Sequence, residues 1–240
     1  SLVGSEMCIR DSNRSDRFLA CVAYLDGIHP SVVMCRGYYT RTVLAAFDWD
    51  GKELKQRWVF DSNNPGCKDY AGQGNHNLRV GDVDGDGCDE IIYGSCAIDH
   101  NGKGLYTTEM GHGDAIHLTH FDPSRKGLQV WDCHENKRDG STYRDAATGE
   151  VLFQIKDNTD VGRCMAADID PTQPGVEMWS VASGGIRNVK GEVVKDRVRG
   201  LSCNMAVWWD GDLLRELLDR NMVSKYNWEK GVCERIAIFE

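Results

Sequence analysis

No stretch of this sequence is apolar for the ~20 residues that a membrane helix needs, which excludes a helical membrane span. Positive charge is also scarce. Lys and Arg number 28 against 37 Asp and Glu, a formal net charge of −9, and no basic stripe runs along the chain. Nucleic acid is therefore not an expected partner. An acidic polymer would be repelled as well, unless cations or a few arginines reverse the sign locally. Ten cysteines are present, yet none forms a C-x-x-C pair, so zinc-ribbon spacing is absent. A G-x-S-x-G elbow, a phosphate-binding P-loop and a dinucleotide fingerprint are missing too.

The first twelve residues, SLVGSEMCIRDS, resemble the translation of a sequencing-library adapter fused in frame. They are set aside from fold reasoning as a processing artefact, and they hold no apolar core of a secretory signal. The native domain is then expected over 13–240, as a piece of a longer chain truncated at both ends. Setting Cys8 aside leaves nine cysteines, an odd number that argues against a fully paired disulfide framework. Most are expected to act as small buried hydrophobes.

What is present is acidic and repetitive. The stretch GDVDGDGCDEIIYG, from Gly81 to Gly94, packs Asp82, Asp84, Asp86, Asp89 and Glu90 between glycines and runs into Ile91, Ile92 and Tyr93, which read as a buried strand. Carboxylates this close repel one another unless they are screened, protonated or bridged by a cation. Asp82-x-Asp84-x-Asp86-Gly87 begins like an EF-hand loop, but loop position twelve is Tyr93 rather than a glutamate. A shorter loop closes sooner, through Glu90 and the backbone carbonyl of Cys88. Hard oxygen ligands at this density point to Ca²⁺. Asp168, Asp170 and Glu177 repeat the arrangement with fewer ligands, and Asp122 with Gln129 is weaker still.

The repeats organise the chain. THFDPSRKGLQVW, AADIDPTQPGVEMW and AYLDGIHPSVVM echo the acidic loop, each as an aspartate turn leading into a strand. Alternating with them, VLAAFDWDGKELKQRWVF, YRDAATGEVLFQI and MAVWWDGDLLREL read as hairpins with Asp-Gly or Thr-Gly turns. Recurrence every 35 to 60 residues predicts an all-β chain of some three to four units, an arc of a β-propeller with cation-binding loops between strands. GDLLRELLDRN alone has helical spacing, although its place after WWDG suits a hairpin strand equally. Trp208 and Trp209 read either as blade core or as a platform for a sugar.

A second cluster draws on nitrogen as well as oxygen. His76 ends AGQGNH; GHGDAIHLTHFD supplies His112, Asp114, His117 and His120; WDCHE adds His134 and Glu135. The glycines on both sides of His112 suggest close backbone approach. His76, His112, Asp114 and Glu135 are the candidates for a shared cation site, whereas His117 and His120 read as strand or rim residues. Zinc is an alternative occupant, without a local helix pattern to support it. Arg163, in VGRCM, could clamp a carboxylate bidentately or make the commoner surface ion pair. Arg36, Tyr38, Tyr39 and Arg41, in CRGYYTRT, form an aromatic and basic patch suited to a sugar acid.

Together these stretches resemble the family 11 rhamnogalacturonan lyases, bacterial pectin-degrading enzymes. The similarity is carried by PSVVMCRGYYTRTVLAAF, FDSNNPG, YAGQGNH, DVDGDGCDEIIYG, GHGDAIH, DPSRKGLQVW, RDAATGE, ADIDP and WWDGDLLRELLD, from about Phe18 to about Asn227. The resemblance implies an eight-bladed propeller holding several calcium ions. It also implies a pectic substrate, rhamnogalacturonan I, cut between rhamnose and galacturonate by β-elimination, and a secreted or periplasmic, monomeric enzyme. Carried over by position, His76, Asp82, Asp84, Asp86, Cys88 through its carbonyl, Glu90, His112, Asp114 and Glu135 match the family's calcium ligands. Arg163 matches its catalytically important arginine, and the partner lysine is expected beyond Glu240. The alternative is a calcium-binding propeller that recognises glycans or proteins without cleaving them; a hydrolase, with two facing carboxylates, is a third reading.

Overall fold

The computed structural model describes residues 17–240, so the adapter-like segment lies outside the described residues. The chain divides into two compact units. The first runs to Asp114 and includes Ala146–Gly149; the second comprises Ala115–Asp145 and Glu150–Glu240.

The first unit holds two four-stranded antiparallel sheets, each a meander in chain order. One is β1 (Phe18–Ala23), β2 (Ser31–Arg36), β3 (Val43–Trp49) and β4 (Leu54–Asp61). The other is β5 (Gly74–Gly81), β6 (Glu90–Gly94), β7 (Cys96–Ile98) and β8 (Gly104–Thr107), preceded by a 3-10 turn over Lys68–Tyr70. Leu25, Val33, Leu44, Phe60, Ile91, Tyr93 and Ile98 form their shared core. The second unit holds three more such meanders. They are β9 (Ile116–Thr119), β10 (Gln129–Cys133), β11 (Ser141–Asp145) and β12 (Val151–Ile155); β13 (Cys164–Ala167), β14 (Glu177–Ser180), β15 (Gly185–Arg187) and β16 (Val193–Asp196); and β17 (Met205–Val207), β18 (Glu216–Asp219), β19 (Met222–Asn227) and β20 (Val232–Ile238). Among the described residues five sheets stand where three to four units were expected.

Local chemistry accounts for the turns. Between β3 and β4, Asp50 Oδ1 accepts the backbone N–H groups of Lys52 and Glu53. Between β11 and β12, Asp145 N–H donates to Glu150 O at 2.9 Å across the Thr-Gly turn. The third hairpin is placed differently from expectation. WWDGDLLRE connects the first two strands of its sheet, and in the other four sheets that same connection carries the aspartate turn. The leucine spacing of that segment produces no helix, because Leu213 is 89% exposed while Glu216 is fully buried at the start of β18. The core alternative for Trp208 and Trp209 is also overturned: both are exposed, and the buried tryptophans are Trp131 and Trp179. None of the nine cysteines described is in a disulfide, four are buried and five only half-buried, so fewer than expected belong to the core.

Candidate functional site

The acidic loop between β5 and β6 is held by its own carboxylates. Asp82 accepts from Gly85 N–H at 2.8 Å and Gly87 N–H at 3.1 Å; Asp84 accepts from Asp86 N–H, and Asp86 from Cys88 N–H at 2.8 Å. Glu90, fully buried, closes the loop by accepting Val83 N–H at 2.9 Å through Oε2. Asp82, Asp84 and Asp86 each present one oxygen within 4.8 Å of the others. Glu90 Oε1 is buried and makes no hydrogen bond. Burial, with Asp84 and Asp86 adding to it, pushes the Glu90 carboxyl up to about 7. A cation would relieve the crowding of the three aspartate oxygens and the buried Glu90 oxygen that makes no hydrogen bond, and oxygen donors of this kind fit calcium. Asp89 stands apart. It accepts Tyr24 N–H at 2.7 Å, next to Gly27, where a Cβ would collide with Gly87 O.

The same clasp recurs with different contents. Glu177 Oε2 accepts Ile169 N–H and Asp170 N–H at 2.8 and 2.9 Å, while Asp170 turns onto Thr172. Among the described residues, Asp168, Asp170 and Glu177 do not gather into one ligand set as the Asp82 loop does. Gln129 Oε1 accepts from Phe121 and Asp122 N–H groups, its amide donates to Gly127 O at 2.9 Å, and Asp122 accepts from Ser124. A neutral amide there meets the polar demand of the Phe121 and Asp122 N–H groups, and among the described residues Asp122 joins no group of three possible ligands. Sequence reasoning missed a further set, Asp210, Asp212 and Glu216, whose ligand oxygens come together. Its signal was available: D-x-D-x-x-x-E repeats the spacing of Asp84, Asp86 and Glu90.

The nitrogen-bearing cluster lies in the first unit. On β5 the register advances from Gly74 to Arg79 while β6 advances only from Gly94 to Ile92, and this bulge carries His76 off the regular ladder. The segment after β8 lies alongside. Gly113 O accepts His76 N–H at 3.1 Å, and Gly111 N–H donates to Gln73 Oε1 at 2.9 Å. His76 Nε2 lies 3.0 Å from Asp114 Oδ1 and 2.9 Å from the Tyr39 hydroxyl, and its Nδ1 lies 3.1 Å from the Tyr38 hydroxyl. His112, buried, donates Nδ1–H to Gly74 O at 2.5 Å, which leaves Nε2 as the lone-pair nitrogen. Its ring stacks on Tyr38, with centroids 5.2 Å apart, and meets His76 edge-on at 4.8 Å. One ligand atom from each of His76, His112 and Asp114 falls within 4.8 Å of the others. Two imidazoles and a carboxylate form a mixed set that can hold a divalent cation.

Tyr38 and Tyr39 are supports of His76 and His112 rather than an open platform, Tyr38 being only 3% exposed. Arg41 is tied to Asp61 through a two-pronged ion pair, Nε to Oδ1 at 3.0 Å, so its charge is already balanced. Arg36 ends β2, half-buried. In the second unit, Glu135 lies half-buried just past β10. Arg163 is exposed immediately before β13 and donates to Gly162 O at 2.8 Å. His117 sits in β9 and His120 just beyond it, as expected of strand and rim residues.

Comparison with known proteins places this geometry in context. The model of the rhamnogalacturonan lyase family 11 C-terminal domain matches residues 8–240. The rhamnogalacturonan exolyase YesX of Bacillus subtilis is 54% identical over 241 residues, covering 93% of this chain and 39% of that protein. The rhamnogalacturonan endolyase YesW of the same organism is 51% identical over 226 residues, covering 93% of this chain and 36% of that protein. The crystal structure of YesW superposes with a TM-score of 0.91 at 50% identity, over 94% of this chain and 39% of that one. The chain thus spans about two-fifths of the length of these relatives.

Proposed function

Since the chain belongs to the family 11 rhamnogalacturonan lyases, we propose that it forms part of an enzyme that cuts the rhamnose–galacturonate linkage of rhamnogalacturonan by β-elimination. The observation that carries this reading is the His76, His112 and Asp114 set, held rigidly by Tyr38, Tyr39 and Gly74 O. We read each four-stranded meander as one propeller blade and the Asp82 loop as a calcium loop that stabilises its blade. A polymeric substrate suits a secreted or periplasmic location.

The chemistry is demanding because the proton at C5 of galacturonate is adjacent to a carboxylate. When bound, calcium supplies the positive charge that withdraws electrons from that carboxylate and makes the proton removable. His76 and His112 offer neutral nitrogen for that role, and Asp114 adds one negative charge without swamping the site. Arg163 adds a fixed positive charge against the uronate; as a base it is weak, since a guanidinium ordinarily titrates above about 12. A base takes the C5 proton, the electron pair left behind forms the C4–C5 double bond as the C4–O bond breaks, and the rhamnose departs with that oxygen, which picks up a proton.

The test follows that double bond. Protein carrying this chain at the length of its relatives is incubated with rhamnogalacturonan, with and without a calcium chelator. Ultraviolet absorbance that rises, stops on chelation, and falls with Arg163→Ala supports the lyase reading. New reducing ends without absorbance would instead mean hydrolysis. Binding of the polymer with neither signal would mean a recognition module.

A further inference from the structure

A second group of ligands overlaps the Asp82 loop, and the calcium reading leaves the side chains of Cys88, Asp99 and His100 unused. His100 lies in the turn between β7 and β8, fixed at its carbonyl by Trp58 Nε1–H at 2.8 Å and by the Asp99–Lys103 backbone contact at 2.8 Å. Its Nδ1 is 2.8 Å from Asp99 Oδ1, 3.2 Å from Asp86 Oδ2 and 3.5 Å from Glu90 Oε1. Cys88 brings its thiol to the same place: ligand atoms of Asp86, Cys88 and His100 lie within 4.8 Å of one another, and so do those of Glu90, Asp99 and His100. Glu90 is fully buried, with Oε2 committed to Val83 and Oε1 without a hydrogen bond.

We propose that Cys88, His100 and Asp86, backed by Glu90 and Asp99, form a site for a thiophilic divalent cation of the zinc class, overlapping the acidic loop. The chemistry of the donors separates the two ions. Calcium takes oxygen and uses only the Cys88 carbonyl, whereas a thiolate with an imidazole and a carboxylate is a zinc set. On coordination the thiol proton leaves to solvent and His100 binds as the neutral ring. Asp86 and Glu90 serve both sets, so zinc excludes calcium from the loop. The proposal does not require that calcium be bound there.

The experiment titrates the full chain with Co²⁺, a spectroscopic stand-in for zinc, and measures Zn²⁺ affinity by competition with a chromophoric chelator. A thiolate-to-cobalt charge-transfer band is expected in the native chain. Cys88→Ser and His100→Asn should each remove the band and weaken zinc at least about tenfold. Both should leave Tb³⁺ luminescence at the acidic loop in place, because neither changes an oxygen ligand. A band that persists in Cys88→Ser, or equal zinc affinity in both variants and the native chain, overturns the site. Tb³⁺ binding that survives Asp84→Asn would overturn the calcium reading instead, leaving the zinc site standing.

Discussion

Lys225 places its Nζ 2.8 Å from Glu216 Oε1, and 2.5 and 2.6 Å from Asp210 and Asp212. In the fifth sheet, therefore, an ammonium on the third strand occupies the position among carboxylates that a metal would otherwise claim. The three acids hold the Lys225 ammonium well above its usual range, against the burial that opposes it.

Lys225→Met should cost about 3 kcal/mol in a urea melt, because removing one partner strands the fully buried Glu216 as an uncompensated charge. Millimolar calcium should restore part of the loss in the variant and change the native chain's fifth sheet little. No loss on substitution would mean that the lysine does not hold the cluster.

Asp84→Ala should lower Tb³⁺ or Ca²⁺ affinity by at least about tenfold while the far-ultraviolet spectrum stays unchanged, since Asp84 is exposed and supplies an oxygen rather than packing. Isothermal titration measures it directly. Unaltered affinity would remove this aspartate from the ligand set.

Glu177 gives a dependence on pH in chelated protein. Burial raises its carboxyl from the ordinary 4.5 to about 8. A carboxyl raised on folding contributes stability that is full below about 4.5 and is lost as pH rises through about 8. The melting temperature should therefore fall as pH rises through that window. Glu177→Gln should flatten the fall, because Gln129 already fills the equivalent position of the third sheet with an amide. An equal slope in the variant would mean that another group governs it.

Gly74→Ala tests the support of the histidine cluster. A Cβ there would run into the ring of Tyr93 and the Cβ of Tyr38. The expected cost is about 1–3 kcal/mol of overpacking, with a larger proportional loss of lyase activity than of stability. Thermal denaturation read alongside the absorbance assay separates the two. Full activity would show that His112 tolerates movement of its Gly74 partner.

Much of this was readable in the sequence because turn chemistry is local. Asp82, Asp84, Asp86 and Glu90 lie within one short segment, and a glycine-flanked acidic run leading into Ile91 and Ile92 states both the loop and the strand it serves. The ring cluster was readable in part, since His76 and His112 stand in glycine-rich stretches. What stayed hidden comes from the third strand or the turn after it. His100 and Lys225 reach the acidic loops through sheet register, which no spacing in the chain reveals. The Leu213–Leu214 and Leu217–Leu218 pairs left helix and strand equally open, and the structure makes Glu216–Asp219 a strand, with Glu216 Oε2 accepting Trp209 N–H at 2.7 Å.

That clasp has a consequence for how the protein would fail. The residue at the head of the second strand, Glu90, Gln129, Glu177 or Glu216, fastens the loop in four of the five meanders, yet what accompanies it differs: a carboxylate trio near Glu90, no charge at the neutral amide of Gln129, an ammonium from Lys225 at Glu216. Repeats alike in outline are thereby made unequal in their dependence on the surroundings. Stripping divalent ions from the medium should loosen the Asp82 meander first and leave the one built on Lys225 intact, so the chain would come apart in stages. Protease cuts under chelation would then begin near Gly85 and Gly87, well before they reach Gly211.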